Sequence, residues 1–255
     1  MLDELSALGS FAPISLAELE ATAGLLSRVD RKYILSVPQA QALMTALAPT
    51  HCVLEIGGRR AFAYRSVYLD SPCLGAFRAH MQERRRRYKC RTRHYVDSDR
   101  HVFEVKLKGL RGMTVKHQMP LAAPEPTAEA LAFAAARVGE AYGRTPRDLR
   151  PSISTTYVRV TLAVGDHRVT VDHGLSFAAD TGGTAALRDE YVIVESKSPQ
   201  GAGTADGVLK RLGIRPVECS KYCVGVALLR DDVRANRLRW LLHRYFTPAT
   251  MAVHA

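Results

Sequence analysis

The sequence predicts an α+β fold: an antiparallel β-barrel or cupped sheet with a charged interior, flanking helices and a C-terminal helix. Two observations carry that prediction. First, charged residues recur at every second position inside apolar, strand-like segments. Phe103-Glu104-Val105-Lys106-Leu107-Lys108 puts Glu104, Lys106 and Lys108 on one side and Phe103, Val105 and Leu107 on the other, because side chains alternate across a strand. Lys89-Cys90-Arg91-Thr92-Arg93 repeats the pattern, and Val194-Glu195-Ser196-Lys197 echoes the Glu-x-Lys pair near the other end. Second, several strand-like segments follow one another through short Asp/Ser and Gly links, as in a meander. A single charged strand face is ordinarily solvated. Several that also carry carboxylates point to a charged inside, suited to a polyanion and a divalent metal.

The elements follow in order. Ser15 is placed to cap a helix over 15–27, with Glu18 as its capping-box partner. Residues 29–36 read as a strand, and Pro38 opens a short helix to about residue 48. Residues 60–69 read as a strand, and Ser71-Pro72 starts a helix to about residue 82. Three strands follow over 86–96, 101–108 and 112–119. A linker over 120–126 leads into an alanine-rich helix over 127–138, and 146–151 is a second break. Residues 154–164 and 167–175 form a hairpin around Gly165-Asp166, and 191–197 is another strand. Thr204 is placed to cap a helix ending near Leu212, with Gly213 as its stop. The last long helical run covers 220–245. No internal break is polar enough to divide the chain, so residues 1–255 read as one domain.

Composition narrows the partners. The chain has 255 residues, is 47% hydrophobic and carries a formal charge of +11, which favours anionic partners such as nucleotides, polyphosphate, nucleic acid or an acidic membrane surface. The five cysteines are scattered without a Cys-x-x-Cys pair, so reduced structural thiols are expected rather than a cysteine metal site. The N-terminus lacks a basic segment followed by an apolar core, and no stretch reaches the roughly 18 apolar residues of a membrane helix. The chain reads as soluble and cytoplasmic.

The cations divide into kinds. Arg84-Arg85-Arg86-Arg87 reads either as a solvated turn or as the mouth of an anion-binding channel. A nucleic-acid surface is disfavoured, because most cations lie inside alternating strands and are mixed with Glu104 and Glu195. No Gly-x-x-x-x-Gly-Lys-Ser/Thr loop and no Gly-x-Gly-x-x-Gly following a strand occurs. Side chains, arginine above all, must therefore hold any phosphate. No Gly-x-Ser-x-Gly elbow supports a protein nucleophile. His94, His117 and His167 lie in or beside strands and read as solvent-facing or hydrogen-bonded structural residues.

Several segments, in order, resemble the VTC-type (vacuolar transporter chaperone) polyphosphate polymerase domain, a branch of the triphosphate tunnel metalloenzyme (CYTH-like) superfamily. They are Arg28-Val29-Asp30-Arg31-Lys32-Tyr33, Ser66-Val67-Tyr68-Leu69-Asp70, Lys89-Cys90-Arg91-Thr92-Arg93, Phe103-Glu104-Val105-Lys106, Val192-Ile193-Val194-Glu195-Ser196-Lys197 and Ser220-Lys221-Tyr222. The resemblance spans about 28–229 and leaves 230–255 as a C-terminal helix and tail. It implies an antiparallel β-barrel enclosing a tunnel lined by Lys32, Arg91, Arg93, Lys106, Lys116, Arg159, Arg168 and Lys221. It also implies Tyr157, Lys197 and Lys108 beside the phosphates and Ser220 near the end of the anion. Glu195 is implied as a ligand of Mn2+ or Mg2+. Glu104 is implied as a second ligand or as a group that orients a neighbouring lysine.

Two departures from the superfamily pattern bear on activity. The hydrolase branch opens with Glu-x-Glu-x-Lys, whereas this chain has Arg28-x-Asp30-x-Lys32, which favours the polymerase-like branch. Glu218 stands three residues before Lys221, where the polymerase pattern implies a second basic residue. The resemblance thus implies a metal-dependent polymerase that transfers the γ-phosphate of ATP to polyphosphate. The alternatives are an inorganic triphosphatase or nucleoside-triphosphate hydrolase, and a non-catalytic polyphosphate-binding module. Eukaryotic members of the family belong to membrane complexes, which leaves a membrane-protein partner open.

Overall fold

The computed structural model describes residues 6–23, 29–109, 113–180, 182–199, 201 and 203–250. In chain order its elements are β1 (Ala12–Ile14), α1 (Leu16–Ala23), β2 (Val29–Ser36), α2 (Val37–Leu47), β3 (Cys52–Leu54), β4 (Ala61–Asp70), α3 (Gly75–Met81), β5 (Tyr88–Tyr95), β6 (Arg100–Lys108) and β7 (Thr114–Leu121). There follow α4 (Ala128–Tyr142), β8 (Arg150–Val164), β9 (His167–Ala179), β10 (Thr184–Ala186), β11 (Tyr191–Ser198), α5 (Thr204–Arg211), α6 (Lys221–Leu229) and α7 (Arg239–Tyr245). The α+β class and the predominantly antiparallel pairing are as the sequence predicts. Backbone packing divides the chain into two compact units interleaved along the sequence. The first is Met1–Phe62, Val158–Gly174 and Asp189–Cys219; the second is Ala63–Tyr157, Leu175–Arg188 and Ser220–Ala255. No helix among the described residues is long and apolar enough to cross a membrane.

In the first unit β11 lies antiparallel between β2 and β9, and β3 pairs antiparallel with β8 and parallel with β1. The strands obey the period-two rule. Tyr33 and Leu35, Val160 and Leu162, Val169 and Val171, and Val192 and Val194 form one apolar face, which packs on Leu43, Met44 and Leu47 of α2 and on Val208 and Leu209 of α5. Helix α2 starts where Ser36 and Gln39 close a capping box: the Gln39 amide donates to Ser36 Oγ and the Ser36 amide to Gln39 Oε1 at 2.9 Å. The same device fixes α1, where the amide and hydroxyl of Ser15 both donate to Glu18. Buried Asp206 ties α5 to the sheet, accepting from Tyr33 Oη (2.5 Å), Ser196 Oγ (2.8 Å) and the Gly203 amide (2.9 Å).

In the second unit β4, β5, β6 and β7 form an antiparallel meander. Cys90, Phe103, Val105 and Leu107 cover one face of it and pack on Ala130, Ala134 and Val138 of α4. The small alanines let the helix approach the strands closely. Asp70, 2% exposed, is the hub at the end of β4. It accepts from the amides of Ser71, Ala76 and Phe77 and from Tyr222 Oη on α6.

Several predicted boundaries move, each for a local reason. The helix expected from Ser71-Pro72 begins at Gly75: Ser71 Oγ accepts from the Gly75 amide at 3.0 Å, and Asp70 accepts from those of Ala76 and Phe77. Strand β7 is shifted to 114–121, and residues 110–112 lie outside the described residues. Helix α4 runs on to Tyr142 and stops at Gly143, whose φ of +69° is left-handed. The hairpin strands are longer than predicted, β8 beginning at Arg150 and β9 reaching Ala179. Gly203 caps α5, and Thr204 is its first residue. The expected single helix over 220–245 is divided: α6 ends at Leu229, Arg230 is extended, and its guanidinium grips Asp232 two residues on at 2.9 Å.

Gly225 in α6 is a packing requirement rather than a flexible point. A methyl added there would sit 2.7 Å from Cδ1 of Phe177 and closer still to Ile153. Gly225→Ala is therefore expected to cost about 1–3 kcal/mol in urea unfolding. Unchanged stability would contradict this packing of α6.

Candidate functional site

Each unit presents a charged strand face opposite its apolar one. In the first unit that face carries Lys32, Arg159, Arg168, Glu195 and Lys197. Lys32 and Glu195 are direct cross-strand partners, and Lys197 is paired in register with Arg168. The Glu195 carboxylate lies between two ammonium groups, with Lys32 Nζ 3.2 Å from Oε1 and Lys197 Nζ 3.2 Å from Oε2. Glu195 pushes the Lys32 ammonium above its ordinary pKa, outweighing the cost of desolvation. Arg159 forms a two-pronged pair with Asp172, Nε–Oδ1 2.6 Å and Nη2–Oδ2 2.8 Å. Asp172 is 1% exposed. Arg168 donates to the Leu19 carbonyl at 3.3 Å.

In the second unit the face is built from rows across the meander. Lys89, Lys106 and Lys116 stand directly opposite one another, and the next row is Arg91, Glu104 and Gln118. Lys108 lies two positions along β6 from Lys106, opposite Thr114. Arg91 donates through Nε to Glu104 Oε2 (2.5 Å) and through Nη1 to Tyr68 Oη (3.0 Å), and its Nη2 also contacts Glu104. Arg93 reaches Tyr157 Oη at 3.0 Å and lies 3.8 Å from Glu104 Oε1. The Tyr157 ring stacks on Tyr64, centroids 5.3 Å apart and planes 1° apart, and Lys221 Nζ sits 4.6 Å from its centroid. Arg93 in turn lies over Tyr64. Ser220 caps α6, its Oγ accepting from the Cys223 amide.

Within each unit the predicted strand residues share a sheet face, while Ser220 and Lys221 lie at the start of α6. Arg28 lies outside the described residues. Arg84, Arg85 and Arg86 are exposed and Arg87 is half-buried; Arg84 bonds Gln82, and Arg87 bonds the Arg84 carbonyl. Sequence reading overlooked Asp172, Gln118, Tyr64 and the Tyr68 hydroxyl. Asp172 had a usable signal, since it alternates in step with Arg168 and Thr170. Tyr64 and Gln118 had none, because their roles depend on strand register.

The two candidate metal carboxylates differ. Glu195 meets a lysine through each oxygen and offers a hard carboxylate ligand. That fits an ion such as Mg2+ or Mn2+, which takes one or two protein carboxylates and completes its shell with water and phosphate oxygens. Glu104, 1% exposed, has its oxygens occupied by Arg91, Arg93 and Gln118. It fits a positioning role for the two arginines. Among the described residues neither carboxylate belongs to a group of three potential ligands.

Burial alone would raise the Glu104 pKa, but Arg91, Arg93, Lys106 and Lys116 hold it well below the ordinary 4.5. A depressed folded-state value contributes stability that is present above the unfolded pKa and lost as pH falls through the folded one. Glu104→Gln removes the charge and leaves Arg91 buried without its partner. Urea unfolding at pH 7 should show a loss of about 3–5 kcal/mol, and the gap from the parent protein should narrow below about pH 4.3. A gap that is absent at pH 7, or constant with pH, would show that Glu104 is not an ionised partner of the arginines.

The sequence matches the VTC domain over residues 27–230. Among solved structures the fold is similar to that of a Bacillus halodurans protein proposed to be an adenylate cyclase, with 15% identity and a TM-score of 0.51 over 77% of this chain and 96% of that one. It is also similar to a Hippeastrum protein proposed as an adenylyl cyclase, in which triphosphatase activity dominates, with 17% identity and a TM-score of 0.50 over 78% of this chain and 95% of that one. At these identities the likeness is one of fold. No curated protein matches the chain. With residues 27–230 of its 255 matched, the chain belongs to the VTC domain family.

Proposed function

We propose that this chain is an enzyme acting on polyphosphate or triphosphate, and specifically a divalent-metal-dependent polymerase that transfers the γ-phosphate of ATP to a growing polyphosphate. The observation that carries the reading is the row of Lys89, Lys106 and Lys116 beside Arg91 and Arg93. Like charges directly opposite on neighbouring strands are destabilising by roughly 0.2–1 kcal/mol per pair. Such a row is favoured when an anion carrying several charges lies along it. Condensed phosphate has that charge density and a matching repeat of oxygen acceptors, and arginine can bind two of those oxygens at once.

The chemistry requires little of the protein beyond position and charge. A terminal oxygen of polyphosphate attacks the γ-phosphorus of ATP, the bond from that phosphorus to the bridging β–γ oxygen breaks, and ADP leaves with the electron pair. In the first unit Lys32 and Lys197 hold the Glu195 carboxylate in place. In the second, Glu104 fixes Arg91 and Arg93, while Tyr157 and Lys221 present a hydroxyl and an ammonium beside Arg93. Glu195 would hold a divalent ion, whose chemistry would be neutralisation of charge on the phosphates. No residue of the chain serves as a nucleophile.

Purified protein incubated with ATP and Mn2+ tests the reading. Long-chain polyphosphate and ADP are expected. Orthophosphate without polymer would replace the polymerase with a hydrolase, and polyphosphate binding without turnover would replace it with a binding module. Glu195→Gln should lower turnover on the order of 100-fold and leave polyphosphate affinity within about threefold, since the cations remain. Equal losses in both would make Glu195 a structural partner of Lys32 and Lys197.

A further inference from the structure

The turn between β5 and β6 brings together three ligand-type side chains unrelated to the phosphate-facing residues. His94 on β5 and His101 on β6 are direct cross-strand partners. Their rings stack with centroids 4.1 Å apart and planes 22° apart. The Nε2 atoms consequently point the same way, and both approach one oxygen: Asp99 Oδ1 lies 2.8 Å from His94 Nε2 and 3.3 Å from His101 Nε2. The ligand atoms of all three residues lie within 4.8 Å of one another. Asp99 holds a left-handed backbone, φ +46°, a conformation that aspartate tolerates better than most residues, and this turns its carboxylate back over the rings. The turn is pinned by Asp97, which accepts from the Ala63 amide at 2.7 Å.

We propose that His94, Asp99 and His101 form a binding site for a borderline transition-metal cation of the Zn2+ or Co2+ type. Ligands at about 2.0–2.1 Å from such an ion lie about 3.0–3.4 Å from one another, and the three ligand atoms, all within 4.8 Å of one another, need only small side-chain shifts to reach that spacing. Two neutral imidazoles and one carboxylate select Zn2+, Co2+ or Ni2+ over Mg2+, which prefers an all-oxygen octahedral shell. The Asp99 side chain is 85% exposed and that of His101 9% exposed, so the ion would keep water in its open positions. Arg100, the adjacent cation, lies over the Tyr95 ring 5.8 Å away. His101 Nδ1 is buried without a hydrogen-bond partner. Absence of that outer-shell support typically costs 10–100-fold in affinity, so a dissociation constant on the order of micromolar is expected. The bound ion would clamp the end of the β5–β6 pair, one residue from Arg93, and would stabilise the fold by mass action. The inference is independent of the phosphate reading.

Titration of the full chain with Co2+ tests it, because ligand-field bands report coordination and a thiolate adds a charge-transfer band. One equivalent of Co2+ should bind without that band, be displaced by Zn2+ and resist excess Mg2+. His94→Ala, His101→Ala and Asp99→Asn should each weaken Zn2+ binding at least about tenfold, whereas His117→Ala should leave it unchanged. Asp99 is exposed, so Asp99→Asn keeps the fold and serves as the decisive variant. A thiolate band, no binding to the parent protein, or undiminished binding in Asp99→Asn and the double histidine variant would each overturn the site.

Discussion

Two carboxylates confined among cations organise the charged faces of this protein. Glu104 is almost wholly removed from solvent and is shared by Arg91, Arg93 and Gln118; Glu195 lies between Lys32 and Lys197. Without them the cations of each face would repel one another in a poorly solvated setting. With them, each face keeps an excess of positive charge while its side chains hold fixed positions. The strand pleat makes this arrangement available. One side of every strand enters an apolar core under α2 and α5, or under α4, and the other side is left for charge.

The same constraint links stability to function. A buried pair such as Arg91–Glu104 contributes little net stability relative to an apolar pair of similar volume. Its value lies in holding the guanidinium rigid. Lysine directly opposite lysine is unfavourable; Glu104 attracts Lys106 and Lys116, and an anion bound along the row would add to that attraction. The aromatic ladder of Tyr64 and Tyr157, with Arg93 and Lys221 against its faces, adds restraint without adding negative charge. Membership of the VTC domain family and the charged strand faces support the same class of ligand by separate routes.

Much of this was legible in the sequence, because a period of two needs only local reading. The alternation in 103–108 and 89–93 located the second unit's charged face, and Glu195 with Lys197 located part of the first. The capping box at Ser15 was equally local. What failed were features that depend on tertiary partners. Asp70 gathers amides of the following turn and a hydroxyl from Tyr222, 152 positions away, a hub that Ser71-Pro72 alone does not show. The break between α6 and α7, at extended Arg230, is likewise not registered by hydrophobic periodicity. His94 was read as structural, since its meeting with His101 depends on strand register and a left-handed turn residue.

The central claim is that the charged faces are built for condensed phosphate rather than for anions in general. Thermal unfolding of the full chain in tripolyphosphate, compared with sulfate at equal ionic strength, tests it most directly. A ligand at 100 times its dissociation constant adds about 2.7 kcal/mol, which for a chain of this size corresponds to roughly 5–10 °C. The account predicts an increase of that size with tripolyphosphate and a much smaller one with sulfate. Equal increases from the two anions, or none from tripolyphosphate, would contradict it.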